Sequence, residues 1–192
     1  MKEFVTLLIF SVVLLACGPK QQKQTPVEPI KKDSIKVAPA SEYGMWKIAY
    51  YASNLGDNKE KAYITNAYAI WGIFSNNTND KAELKVKFLV DNENFCIKLL
   101  EFGTKAVKKG DESQYKIKVK SNANELVELT ARNVSDRLFI KSQDAQKIIG
   151  LFNKGGLISF HLISDSKTNA ATYSFNIDQP GGIGKALEKI TR

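Results

Sequence analysis

The chain predicts a mainly β fold, an antiparallel β-sandwich or flattened barrel of about nine strands with two short helices. Apolar residues alternate with lysines at period two in several short runs. Turn-forming pairs such as Asn76-Asn77, Asp91-Asn92 and Gly155-Gly156 separate many of these runs. Only two segments repeat apolar residues at helical spacing.

The first strand is expected over Trp46–Tyr51. "YAIWGIF", residues 68–74, follows; being apolar on both faces, it predicts a central strand or one covered on both sides. In "AELKVKFLV", residues 82–90, Leu84, Val86, Phe88 and Val90 form one face, and Lys85 and Lys87 point the other way. Phe95–Phe102 is the next strand. In "QYKIKVK", residues 114–120, Tyr115, Ile117 and Val119 alternate with Lys116, Lys118 and Lys120. Leu126–Arg132, Arg137–Ile140, Leu157–Ile163 and Thr172–Ile177 complete the strands, and Glu101 and Glu128 are read as outward positions. In "SQDAQKIIGLFNKGG" Ala145, Ile148, Ile149 and Phe152 fall on one helical face, with Ser142 expected as the N-cap and Gly155 near the stop. "GGIGKALEKI" places Ile183, Leu187 and Ile190 on one side of a terminal helix.

Ahead of these elements lies a different chemistry. The run from Phe4 to Cys17 is apolar and uncharged and shorter than the ~20 residues of a spanning helix; the amino terminus and Lys2 give a cationic start that Glu3 weakens, and small Ala16 precedes the polar break. These are the regions of an export signal. Leu14-Leu15-Ala16-Cys17 resembles the lipobox of bacterial lipoproteins. The resemblance implies cleavage after Ala16, a diacylglycerol thioether on Cys17 and acylation of the new amino terminus. Gly18, Pro19 and Lys20 follow without the aspartate that resembles an inner-membrane retention signal, which implies the outer membrane, facing the periplasm. Residues 17–42 hold four of the five prolines and no aromatic residue, and read as a tether; residues 43–192 read as one domain. Within the tether, Asp33-Ser34-Ile35 resembles the O-glycosylation site of exported Bacteroidetes proteins, with Ser34 as acceptor.

Catalytic chemistry is poorly provided for. His161 is the only histidine, so any Ser-His or Cys-His mechanism must pass through it, and on its strand it stands beside Ser159 with no acid placed to orient it. Once Cys17 is lipidated, Cys96 is the only remaining thiol, which excludes an internal disulfide and a cysteine-built metal site; in "NFCIKLL" it reads as a small core residue. "PGGIGKA" has Gln179 and Ala186 where a phosphate-binding loop needs glycine and a hydroxyl residue, so it reads as a turn into the last helix. "NNTND", residues 76–80, lacks the glycine and spacing of a calcium loop and reads as a hairpin turn. No catalytic residue, metal or cofactor is expected.

The formal net charge is +8, of which the tether carries +2, so basicity belongs mainly to the domain. If their strands are neighbours, Lys85, Lys87, Lys116, Lys118 and Lys120 make one positive face for anionic lipid or glycan. Nucleic acid is not an expected partner of an exported protein.

Trp46 and Tyr51, "GIFSNN" at 72–77, "IKLLEFG" at 97–103 and the closing "GGIGKALEKI" loosely resemble small exported β-sandwich proteins of the invasion-associated and type VI secretion-associated accessory kinds. The combined expectation is a membrane-anchored lipoprotein whose domain is a non-enzymatic binding or accessory module, meeting lipid, glycan or protein at the envelope. An enzyme acting on envelope glycans and an inhibitor or immunity-type protein are the competing expectations.

Overall fold

In a computed structural model of the chain, residues 42–51, 61–107, 114–165 and 170–191 are described. The signal segment, Cys17 and Ser34 lie outside these residues. Among the described residues the chain forms eleven strands and two helices, a mainly β fold. A hairpin comes first, β1 (Trp46–Tyr50) with β2 (Ala62–Asn66). Next is a meander of β3 (Ile70–Asn76), β4 (Ala82–Val90) and β5 (Phe95–Glu101), then two-residue β6 (Lys105–Ala106). A second meander follows, β7 (Gln114–Ser121), β8 (Leu126–Val134) and β9 (Arg137–Ile140). Helix α1 (Ser142–Lys154) leads to a last hairpin, β10 (Leu157–Ser164) and β11 (Ala171–Asp178), and α2 (Ile183–Thr191) ends the fold.

Every pairing is antiparallel. The order β4-β3-β11-β10-β7-β8-β9-β5 returns to β4 through the β4–β5 pairing, so eight strands close into a barrel, while the β1–β2 hairpin and β6 remain outside the ring. Closure consumes the edges that an open sheet would expose to aggregation.

Period-two alternation decides what fills the lumen. Leu84, Val86, Phe88 and Val90 of β4 point inward, as do Tyr115, Ile117 and Val119 of β7, and all are buried. Phe152 of α1 meets the rings of Phe88 and Phe95 on one wall and of Phe160 on the opposite wall, at centroid distances of 5.8, 6.3 and 6.1 Å. A side chain that touches opposite walls sits in the mouth of the barrel, so α1 acts as a stopper. Burying each such ring contributes about 1.5–3 kcal/mol. The helix starts at Ser142 itself; Lys141 occupies the N-cap position and makes no side-chain capping bond, so Ser142 does not take the expected capping role.

Trp46 is fully buried beside Phe88 and Phe152 and donates through its indole N–H to the carbonyl of Pro180 at 2.6 Å, tying the first strand to the turn before α2. That turn requires glycine at Gly182, where φ is +95° and a Cβ would lie 2.5 Å from the Tyr43 carbonyl oxygen.

β3 is a central strand, flanked by β4 and β11 as expected, although its outer face is open, with Trp71 and Ile73 52% and 44% exposed. One outward reading is corrected. Glu101 continues the inward series Phe95, Ile97, Leu99 and reaches the lumen at the end away from α1, where the buried Tyr173 hydroxyl donates to its carboxylate at 2.9 Å. That hydrogen bond is what makes an acid tolerable there.

Burial raises the Tyr115 hydroxyl above the usual tyrosine range against the pull of its hydrogen bonds, burial with Tyr115 and Glu101 nearby raises Tyr173 much further, and burial beside Asp91 pushes Tyr51 up to about 12. The folded state holds these protons after the unfolded chain has released them near pH 10, so their stabilisation is complete below that pH and is lost as pH rises further. Urea midpoints should therefore fall between pH 8 and pH 11; a midpoint that held or rose would contradict this placement of the tyrosines.

Candidate anion-binding groove

The site grows from the way the first hairpin is attached. β2 pairs with β4 only at Ile64–Val90. Asn66 extends the join with its side chain: Nδ2 donates to the Val86 carbonyl at 3.3 Å and Oδ1 accepts from the Phe88 N–H at 2.9 Å. An asparagine amide can replace a peptide group in this way because it offers the same donor and acceptor.

The hairpin and the outer wall of the barrel enclose a groove of about 520 Å³. Lys47 and Ala49 enter it from β1, Tyr63 and Thr65 from β2, Lys85, Lys87 and Leu89 from β4, Lys98 and Leu100 from β5, and Arg137 from β9. Ala67, Tyr68 and Ala69 line the passage from β2 to β3. Five cationic side chains from four strands thus face one concavity.

Within it Lys87 and Lys98 stand directly opposite each other in the β4–β5 register, an arrangement of like charges that disfavours folding. Asp136, in the β8–β9 turn, relieves part of the repulsion by pairing with Lys98 and with Arg137 Nε at 3.1 Å. The Lys98 hydrogen bond, helped by Arg137, holds the Asp136 carboxyl below the usual range despite the opposing effect of partial burial. Lys47, Lys85 and Lys87 form no ion pair among the described residues. Lys85 instead lies 5.5 Å from the ring centroid of Trp71, at the groove's lip.

The expected five-lysine face does not form. Lys85 and Lys87 are in the groove, whereas Lys116, Lys118 and Lys120 lie on β7, four strands from β4 in either direction around the eight-stranded ring. They occupy the opposite wall, and Lys118 is paired with Glu128 at 2.8 Å. The structure replaces them in the groove with Lys47, Lys98 and Arg137. Lys98 was visible in principle as the outward residue of "NFCIKLL", while the contribution of β1 and β9 depends on long-range pairing.

The other candidate residues stay apart. The exposed His161 ring approaches Ser174 across the β10–β11 pair, Nδ1 to Oγ at 2.9 Å, so its partner is a hydroxyl and not an acid. Asn76 accepts N–H bonds from Thr78 and Asn79, which closes the β3–β4 turn. Among the described residues no group of three His, Cys, Asp or Glu side chains could hold a metal ion. Cys96 is buried between Leu89 and Phe139 in the register. Burial pushes its thiol up to about 12, against the pull of Arg137. Thiol reagents at pH 8 should leave Cys96 unmodified in the folded domain and label it fully in denaturant, since the thiolate is the reactive species; rapid labelling of the native protein would contradict this burial.

No family profile, curated protein or solved structure matches the chain.

Proposed function

We propose that this is a bacterial lipoprotein, anchored through Cys17 at the outer membrane, whose barrel domain is a non-enzymatic module that binds an anionic ligand in the groove under the β1–β2 hairpin. The concentration of cations carries this reading. Lys47, Lys85, Lys87, Lys98 and Arg137 converge on one concavity in which Asp136 is the only acid ion-paired to any of them among the described residues. Opposing Lys87 to Lys98 weakens the fold, and an incoming anion would relieve that repulsion. The lipobox supports the anchor, and the proline-rich, aromatic-free composition of residues 17–42 supports a tether between anchor and domain.

The test compares two variants of equal charge. Detergent-solubilised mature protein carrying Lys47→Glu, Lys85→Glu and Lys87→Glu should elute from a heparin column at much lower salt than the parent. The same protein carrying Lys116→Glu, Lys118→Glu and Lys120→Glu on the opposite wall should elute close to the parent. Equal shifts would show that retention follows net charge alone, and the groove would lose its role.

A further inference from the structure

Beside the groove the barrel exposes an aromatic patch, and what it implies needs neither a groove ligand nor Cys17. We propose that Trp71, Ile73 and Phe102 dock the domain on a bilayer bearing anionic headgroups, with Lys85 and Lys105 meeting the lipid phosphates.

The backbone is arranged to display these side chains. Trp71 and Ile73 are alternate residues of β3 and share its outer face, 52% and 44% exposed. Phe102 stands in the turn between β5 and β6, 44% exposed, where its N–H donates to the Glu83 carbonyl at 2.8 Å and its ring meets Phe74 edge-on at 5.1 Å. Its φ of +51° is a left-handed conformation that bulky residues rarely adopt, and it is the only aromatic among the described non-glycine residues with positive φ. Strain of this kind gathers at ligand contacts. Gly103 then lets the two aromatics lie close: a Cβ there would be 3.5 Å from the Trp71 ring and 2.8 Å from the Glu83 carboxylate.

Charge identifies the occupant. Lys85 Nζ stands 5.5 Å from the Trp71 ring centroid and Lys105 Nζ 5.2 Å from that of Phe102, against one carboxylate, Glu83, opposite Ile73 in the β3–β4 register. An aromatic ring entering the acyl boundary beside an ammonium that stays at the phosphates is the arrangement by which proteins settle on a membrane surface. Area argues against a protein partner. Large side chains bury roughly 150–250 Å² each, so three that are about half exposed offer on the order of 300 Å², against ~800 Å² per partner in a stable interface.

Trp71 reports the contact directly, because the other tryptophan, Trp46, is fully buried. Mature protein is reconstituted with vesicles of phosphatidylglycerol and phosphatidylcholine brominated on its acyl chains. Tryptophan emission should shift to the blue and be quenched by the bromines, and vesicles without phosphatidylglycerol should quench several-fold less. Lys105→Gln and Phe102→Ser should each weaken docking about fivefold, whereas Lys116→Gln on the opposite wall should leave it unchanged. Neither Lys105 nor Phe102 lines the groove, so this test and the heparin test fail independently. Emission that stays unshifted, or quenching that Phe102→Ser and Lys105→Gln do not reduce, would overturn the proposal. So would a blue shift that grows with protein concentration in detergent alone, the mark of a second copy on the patch.

Discussion

Replacing Phe88 by alanine should destabilise the domain by about 3–5 kcal/mol and lower its thermal midpoint by roughly 10 °C or more. Phe88 lies where all parts of the interior meet. Its ring centroid is 5.8 Å from those of Trp46, Phe95 and Phe152, 5.9 Å from Phe160 and 6.2 Å from Phe175. These residues belong to the hairpin, to both sides of the barrel and to the α1 stopper, so the cavity left by truncation cannot be filled by moving one neighbour. Phe102, 44% exposed at the turn after β5, is the control: its replacement by alanine should cost under about 1 kcal/mol. Urea unfolding followed by circular dichroism measures both. A loss below about 1.5 kcal/mol at Phe88 would show that the interior repacks and that α1 does not depend on this ring.

If the proposed anchor at Cys17 exists, Cys17→Ala should yield a protein with no acyl chains at all. Each buried methylene contributes about 0.8 kcal/mol, so several chains hold far more firmly than the single chain that gives only reversible binding. Intact-mass measurement of the membrane fraction should find a mature chain beginning at residue 17 with added acyl mass, and neither the mass nor the membrane association in the variant. A soluble wild-type product cut elsewhere would remove the anchor and the envelope location inferred from it.

Much of the fold was legible because alternation is a local signal. The nine expected strands form, with small shifts of their ends, since each carries an apolar face that the barrel must bury. β2 escaped because Ile64, Thr65 and Asn66 are buried consecutively: the hairpin packs against the barrel on one side, and Asn66 is drawn in as a backbone substitute, which erases the period of two. β6 has only two residues. Glu101 was misjudged because the tyrosine that accommodates it lies 72 residues away. The lysine face failed for the same kind of reason. Each strand declares its outward lysines, but which strands share a wall depends on pairings such as β5 with β9 and β3 with β11, and no local pattern specifies those.

Those same pairings govern how the molecule reaches its native state. The ring cannot close until β11 is available to join β3, and the indole of Trp46 must wait for a carbonyl 134 residues further along. Non-local contacts of this kind place folding in the millisecond-to-second range, and until the last hairpin arrives β3 presents an unpaired edge and Phe88 an unfilled neighbourhood. The segment from Ala171 through α2 therefore acts as a latch on the first strands. A chain that stopped before Ala171 would lose both β11 and the Pro180 turn and would remain an open, aggregation-prone sheet.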